Sequence, residues 1–129
     1  MKLEILKESY SVCRLANESS IPEWAINGIF YSITKTNEEL SIVCESKFVP
    51  IEIKREDNWF MIKILGPLDF SEIGIINKIS SVFKRVNKSL FVISTYDTDY
   101  IMCKKNNISE LIEELENEDY SIINRGDIY

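Results

Sequence analysis

The residues best suited to chemistry lie within residues 90–103, LFVISTYDTDYIMC, where polar side chains separate two apolar runs. The runs 90–93 and 100–103 are rich in β-branched and aromatic residues, as strands are, and the polar residues between them predict a hairpin connection. A hairpin tip with carboxylates, hydroxyls and phenols side by side can bind a small polar ligand. The candidate tip residues are Ser94, Thr95, Tyr96, Asp97, Thr98 and Asp99.

Asp99 is the most informative residue of this tip. Shifting the sequence by 59 residues lays an earlier polar connection over it, with Asp97 on Glu38 and Asp99 on Leu40. An acid at position 97 therefore suits the turn itself, whereas the acid at position 99 replaces an apolar residue. We infer that scaffolding alone does not explain Asp99.

Strand alternation places Asp99 on the same face as Ile101 and Cys103. A carboxylate on a partly buried face needs a cationic or hydrogen-bonding partner. The ammonium group or basic side chain of an amino acid would serve, and so would Arg14, Lys63 or a turn N–H group. Thr95 and Thr98 can hold the turn together rather than contact a ligand. Tyr96 and Tyr100 can cover a pocket, although on a sheet such residues more often pack across strands.

A second candidate site follows the strand-like run 59–65, which Gly66 and Pro67 end. Asp69 and Glu72 have the spacing of a helix cap and its reciprocal partner. Free N–H groups at a helix start favour an anion such as an α-carboxylate, although a plain capped turn explains the same residues. Gly74, in the first helical turns, costs about 1 kcal/mol relative to alanine and needs a reason, either close packing or ligand access. The candidates here are Gly66, Pro67, Leu68, Asp69, Phe70, Gly74 and Ile75.

Composition narrows the classes of function. The net charge of -6 repels phosphate backbones and anionic membranes, so neither nucleic acid nor a membrane is an expected partner. The sequence contains no histidine, which removes His-dependent nucleophilic and proton-transfer chemistry and the commonest zinc sites; no metal or other cofactor is predicted. Cys13, Cys44 and Cys103 lie in apolar runs without C-x-x-C spacing, which favours reduced thiols and the cytoplasm. No signal peptide or membrane span is predicted.

Two sets of elements must position these residues. In the first half we predict short strands at 3–6 and 10–15, a turn after Pro22, a hairpin from 29–36 and 40–45, an edge strand at 51–54 and a polar break at 55–58. In the second half, residues 59–65 form a strand and Ile73, Ile76, Ile79, Phe83 and Val86 mark a helix face. After the central hairpin, Asn107 and Glu110 cap a second helix, and residues 120–123 form a last strand. The order β-α-β-β-α-β is ferredoxin-like.

Several stretches resemble one family. They are YSVCRL (10–15), IPEWA (21–25), FYSITKT with ELSIVCE (30–45), GPLDFSEIGI (66–75) and STYDTDYI (94–101). They look like the small bacterial proteins built from two ACT domains, a family similar to the ACT repeats of the CASTOR arginine sensors. The position of Gly74 resembles the glycine that lets a ligand approach in ACT domains, but Ser71 stands where those domains usually carry an aspartate.

The resemblance implies an α+β fold of two tandem ferredoxin-like (ACT-like) βαββαβ subdomains with antiparallel sheets. We expect a shortened N-terminal ACT-like subdomain at 1–57 and a C-terminal ACT domain at 58–129. ACT domains are regulatory modules that bind an amino acid, usually where two of them meet, so we expect a non-catalytic sensor of an amino acid or similar small ligand. The alternative is a degenerate ACT pair that serves as an oligomerisation or protein-interaction scaffold. A homodimer would cover the unpaired edge strands.

Overall fold

The computed structural model describes residues 1–65 and 74–124. Its strands in chain order are β1 (Lys2–Ile5), β2 (Tyr10–Leu15), β3 (Ser32–Lys35), β4 (Leu40–Glu45), β5 (Arg55–Ile64), β6 (Phe91–Ser94), β7 (Asp99–Lys104) and β8 (Ser121–Ile123). The helices are α1 (Ile75–Arg85) and α2 (Ile108–Asn117), and short 3₁₀ helices span Glu23–Ile26 and Ser46–Phe48. The chain divides into two compact units: a C-terminal unit, Met1–Lys7 with Phe60–Tyr129, and an N-terminal unit, Glu8–Trp59.

The C-terminal unit has the predicted order of elements. From β5 onward the chain runs β5, α1, β6, β7, α2, β8, which confirms the ferredoxin-like α+β fold. β7 pairs with β5 and with β6, while β1 pairs antiparallel with β5 and parallel with β8. The hairpin β6–β7 therefore lies beside β5, the strand that leads into residues 66–73.

Apolar side chains from both helices cover one face of this sheet. Ile79, Val82 and Phe83 of α1 are buried, at steps that place them on one helical face. The buried face of α2 consists of four residues, which pack in one cluster with α1 and the sheet. These four residues are Ile108, Leu111, Ile112 and Leu115. Because this cluster contains Ile101 and Cys103, it identifies the helix-covered face of β7.

The N-terminal unit contains a smaller sheet in the order β3, β4, β2 and the first half of β5. Its core is correspondingly small, with Cys13, Leu40, Ile42 and Cys44 from the strands and Ala25 from the first 3₁₀ helix. Within the described part of this unit the connections form only 3₁₀ helices, where the C-terminal unit has α-helices.

Two strand predictions in the N-terminal unit are wrong. Residues 51–54 do not form an edge strand, because the Ile53 N–H group donates to the Pro50 carbonyl at 3.2 Å and closes a turn. Residues 55–58 are not a break, since they begin β5 and pair with β2 through Cys13 and Arg55. A register shift in this pairing, together with a left-handed Asn58 (φ 67), accommodates the polar residues.

Two predictions about helix starts are also corrected. Asn107 precedes α2 in the left-handed conformation (φ 57) and its side chain forms no cap, because a capping residue needs extended backbone. Gly74 lies before α1 rather than inside it, at φ 95. Among the described residues nothing lies within 4 Å of the position a Cβ would occupy there, so the left-handed backbone, not close packing, explains this glycine. The predicted cap Asp69 with Glu72, and Ile73, fall outside the described residues.

Candidate functional site

The hairpin β6–β7 ends in a tightly bonded turn. Ser94 and Asp99 are its last paired residues. The Thr95 N–H group donates to the Thr98 carbonyl at 2.8 Å, and the Thr95 hydroxyl donates to the same oxygen at 3.0 Å while accepting the Thr98 N–H group at 3.3 Å. Thr95 therefore holds the turn, which is one of the two roles that the sequence left open for it.

Asp99 is half-buried and is the first residue of β7. Side-chain alternation places it on the helix-covered face of this strand, together with Ile101 and Cys103. The Ser94 hydroxyl, directly opposite on β6, donates to the Asp99 Oδ1 atom. Ser94 was not among the partners considered from the sequence, because finding it requires the exact register of the two strands across the turn. A carboxylate has about four acceptor positions, so Asp99 retains capacity for a ligand donor.

The basic residues considered as partners of Asp99 serve other groups. Arg14 donates to the Glu38 carbonyl at 2.9 Å, in the N-terminal unit. The Lys63 ammonium group lies 6.0 Å from the centre of the Tyr100 ring, within the range of a cation–π contact. The alternation of side chains on β7 places Tyr100 on the face opposite Asp99.

Thr98 attaches the hairpin tip to β5. Its side chain is buried, and its hydroxyl donates to the carbonyl of Ile64 at 2.5 Å. Ile64 is the last residue of β5, two residues before Gly66. The hydrogen bond therefore holds the tip beside the end of the strand that leads into the second candidate segment, and no sequence pattern indicated this contact.

The remaining candidates divide into three groups. Tyr96 and Asp97 are exposed at the tip, Tyr96 to 86%, so Tyr96 does not pack across the sheet. Ile75 packs partly against the core at the start of α1, and Gly74 supplies the left-handed turn before it. The third group, Gly66, Pro67, Leu68, Asp69 and Phe70, lies outside the described residues, and its place in the site stays a prediction.

The three thiols are buried and none forms a disulfide. Burial raises the pKa of Cys103, and a hydrogen bond with Cys13 together with burial raises the pKa of Cys44. The same hydrogen bond lowers the pKa of Cys13, aided by the positive charge of Arg55. Within residues 1–65 and 74–124, no group of three or more acidic or cysteine side chains is arranged to hold a metal ion. No helix in this part of the chain is long and apolar enough to cross a membrane.

Comparison with known families divides the chain in two. The family model described as ACT domain matches residues 54–117, and a model described as an N-terminal domain matches residues 8–52. No curated protein matches the chain significantly.

Solved structures share the fold. Protein Atu0741 from Agobacterium tumefaciens is 36% identical, with a TM-score of 0.89 over 95% of this chain and 91% of its own. The Vibrio cholerae protein VC0802, of unknown function and described as a possible transport protein, is 16% identical, with a TM-score of 0.74 over 90% and 88%. The allosteric aspartate kinase of Clostridium acetobutylicum is 13% identical, with a TM-score of 0.60 over 85% of this chain and 33% of the kinase.

Proposed function

Because the chain belongs to the same family as Atu0741 and contains an ACT domain, we propose that it is a non-catalytic regulatory sensor that binds an amino acid. An ACT domain is a regulatory module for small ligands. The choice of an amino acid, and the absence of any catalytic role, are parts of the proposal. The site we propose lies in the C-terminal unit, between the hairpin tip 94–99 and the segment 66–70 with Gly74 and Ile75.

The observation that carries the proposal is the pair Ser94 and Asp99, held beside the end of β5 by the hydrogen bond from Thr98 to Ile64. The hairpin of the N-terminal unit has the same register 59 residues earlier, with Lys35 opposite Leu40 in the equivalent positions. The hairpin therefore forms without a carboxylate at this position. A half-buried acid placed there in the C-terminal unit supports a role in binding.

The ligand chemistry follows from the two sides of the site. The Asp99 carboxylate accepts hydrogen bonds and attracts an ammonium group or a basic side chain. Backbone N–H groups at the start of a helix favour a carboxylate, and we assign that role to the start of α1 at Gly74 and Ile75, with residues 66–70 as the predicted neighbouring segment. A ligand with a carboxylate and an ammonium group fits both sides, and an amino acid has both.

The proposal also covers the domain organisation, the oligomeric state and the cellular location of the protein. The equal registers of the two hairpins support a tandem ACT repeat, related to the ACT repeats of the CASTOR arginine sensors. The predicted division into 1–57 and 58–129 lies near the boundary of the two compact units after Trp59, but residues 1–7 belong to the C-terminal unit. β3 and β6 each pair with one strand in the described part of the chain, and such edges support a homodimer. The three free thiols support a cytoplasmic setting. We expect neither nucleic acid nor a membrane as a partner.

One observation favours the alternative, a scaffold that binds no ligand: Asp99 already has a protein partner in Ser94. Thermal-shift screening against the common amino acids separates the two functions, because a ligand at 100 times its Kd adds about 2.7 kcal/mol of stability. If no amino acid stabilises the protein, the scaffold becomes the better reading.

The site is tested by calorimetry on Asp99→Asn with Asp97→Asn as the matched control. Both changes remove one negative charge from the same tip, but Asp97 is exposed and outside the strand pairing. We expect Asp99→Asn to weaken binding of the amino acid by about 1.5 to 3 kcal/mol, the usual loss for a charged hydrogen bond, with Asp97→Asn close to the unmutated protein. Equal affinities for both variants and the unmutated protein would place the site elsewhere.

A further inference from the structure

A cleft of 290 Å³ lies in the C-terminal unit, beside the last turns of α1. A water molecule takes about 30 Å³, so the cleft has room for a small molecule rather than for a single water. Five polar side chains and one apolar side chain line it: Ser80, Lys84, Asn87, Lys88, Ser89 and Leu90. These lining residues include no carboxylate, and none of them belongs to the hairpin tip 94–99.

The end of α1 forms the cleft by turning the chain back along the helix. Asn87 adopts the left-handed conformation (φ 57), and its N–H group donates to the Lys84 carbonyl at 3.1 Å. The Lys88 N–H group donates to the Phe83 carbonyl at 2.9 Å. Because Ser80 and Lys84 are one helical turn apart, they share a side of α1, and the residues after the helix are brought alongside them.

Two neutral acceptors hold the ammonium group of Lys88 in place. It donates to the Lys104 carbonyl at 3.0 Å and to the Asn106 carbonyl. An ammonium group has three donors, so one remains. Carbonyl groups carry no net charge, so these bonds do not neutralise the lysine. Lys88 is therefore a half-buried cation that lines the cleft with one donor still available.

Lys84 supplies a second positive charge. Its side chain is exposed, and within residues 1–65 and 74–124 it forms no ion pair within 4.0 Å. The neighbouring Arg85, by contrast, pairs with Glu114 at 3.3 Å and with Glu118 at 3.0 Å. These two carboxylates of α2 therefore pair with Arg85, and Lys84 has no counterion in the described part of the chain.

The cleft is positive in a chain that is negative as a whole. Residues 75–90 contain Lys78, Lys84, Arg85 and Lys88 and no acidic residue, whereas the chain carries a net charge of -6. Cations are favourable at a helix C-terminus, but the Lys88 ammonium group is bonded to carbonyl groups outside α1, so it is not a cap of this helix. Two lysines that line one cleft repel each other, and an anion bound between them removes this repulsion.

We propose that this cleft binds a small phosphate monoester, with Lys84 and Lys88 as the cations that hold its phosphate group. The phosphate of a monoester carries about 1.5 to 2 negative charges at pH 7 and three acceptor oxygens, so it matches two ammonium groups, whereas a carboxylate brings one charge. The side-chain amide of Asn87 and the hydroxyl of Ser89 add neutral donors.

The size of the cleft favours an ester over free phosphate. At about 30 Å³ for each water molecule, 290 Å³ corresponds to about nine waters, more than a phosphate group alone displaces. Leu90 gives this remaining space an apolar wall for the organic part of the ester. The site does not depend on a ligand at Asp99, so either site can exist without the other.

The test is an amide NMR titration of the unmutated protein, with no amino acid present. The probes are phenyl phosphate, inorganic phosphate and acetate, at an ionic strength kept constant with sodium chloride. We expect phenyl phosphate to shift the amide signals of Lys84 and of residues 87–90 and to leave that of Asp99 unchanged. Inorganic phosphate should bind more weakly, because it buries no apolar surface against Leu90, and acetate should not shift these signals.

Two lysines of α1 provide a matched pair of variants. Lys84→Met removes a cation of the cleft, and Lys78→Met removes an exposed lysine of the same helix that does not line it. Lys84→Met should weaken binding of phenyl phosphate by about two- to fivefold, the range for an exposed ion pair, and Lys78→Met should bind as the unmutated protein does. Lys88 also holds two backbone carbonyl groups, so its replacement would mix binding with folding, and Lys84 is the residue to test.

Four results would overturn the proposal. If phenyl phosphate shifts none of the signals of Lys84 and residues 87–90, the cleft binds no phosphate ester. If Lys84→Met and Lys78→Met weaken binding equally, the attraction comes from the positive charge of α1 as a whole. Acetate binding as tightly as phenyl phosphate would make the cleft a general anion site, and equal affinity for inorganic phosphate would remove the ester from the assignment. None of these results bears on Asp99, so the proposed function is tested separately.

Discussion

The Thr98 hydroxyl donates a hydrogen bond to the Ile64 carbonyl oxygen at 2.5 Å, across 34 residues of sequence. Thr98 is the residue directly before Asp99, and its side chain is buried while Tyr96 at the same tip is exposed. The position of the candidate carboxylate therefore depends on the Thr98 hydroxyl, which is bonded to the backbone of β5.

This contact predicts the effect of Thr98→Val, which keeps the shape of the side chain and removes its donor. The Ile64 carbonyl loses this buried partner, so the free energy of unfolding should fall by about 1 to 3 kcal/mol. Urea unfolding measures the change, and Thr98→Ser, which keeps the hydroxyl, is the control. We expect the Ser variant to retain more of the stability and more of the affinity for an amino acid. A Val variant as stable as the unmutated protein would show that the hydrogen bond contributes nothing.

Much of the C-terminal unit could be predicted because its signals are local. The steps from Ile79 to Phe83, and from Ile108 to Leu115, fit one buried face of a helix, and both helices form where the spacing indicates. Both predicted hairpins also form, and their strand registers differ by the predicted shift of 59 residues.

The sequence predictions fail where contacts between distant residues, or the local backbone conformation, determine the structure. Residues 55–58 are polar enough for a loop, but pairing with β2 and the left-handed Asn58 make them a strand. Asn107 is a frequent capping residue, yet it adopts the left-handed conformation, where its side chain cannot reach the first N–H groups of α2. Asp99 combines a successful and a failed prediction. The alternation of side chains predicted which face of the strand it occupies, but its partner Ser94 could be identified only from the exact register of the turn.

Gly28 and Gly74 are glycines for two different physical reasons, and substitution of each by alanine tests these reasons. A Cβ atom at Gly28 would lie 1.8 Å from Glu45 Oε2, a carboxylate oxygen that accepts the Ile29 N–H group at 2.7 Å. Glu45 is buried, so its side chain has little room to move. Gly28→Ala should therefore break this hydrogen bond and cost about 2 kcal/mol or more.

Gly74→Ala should cost about 1 to 2 kcal/mol for a different reason, because its φ of 95 disfavours any side chain although the described surroundings leave space for one. Chemical denaturation compares the two variants. Adding Glu45→Ala to each distinguishes the causes, since removal of the clashing side chain should lower the cost at Gly28 and leave the cost at Gly74 unchanged. Equal coupling at both positions would contradict the steric explanation for Gly28.

The last prediction concerns pH and the buried thiol of Cys103. Burial raises its pKa in the folded protein, while in the unfolded chain a thiol ionises near pH 8.5. The folded state therefore holds this proton more tightly, so its contribution to stability is fully present below about pH 8.5 and is lost as the pH rises above it. The loss should approach about 1.4 kcal/mol for each pH unit.

Urea unfolding between about pH 7.5 and 10 measures this slope in the unmutated protein and in Cys103→Ala. Cys44, whose pKa is also raised, remains in both proteins, as does Cys13, so the difference between the two slopes isolates Cys103. Alanine leaves a small cavity and lowers the stability at every pH, but that offset does not depend on pH. We expect the stability of the unmutated protein to fall more steeply above pH 8.5. Parallel curves would mean that the Cys103 thiolate is as well accommodated in the folded protein as in water.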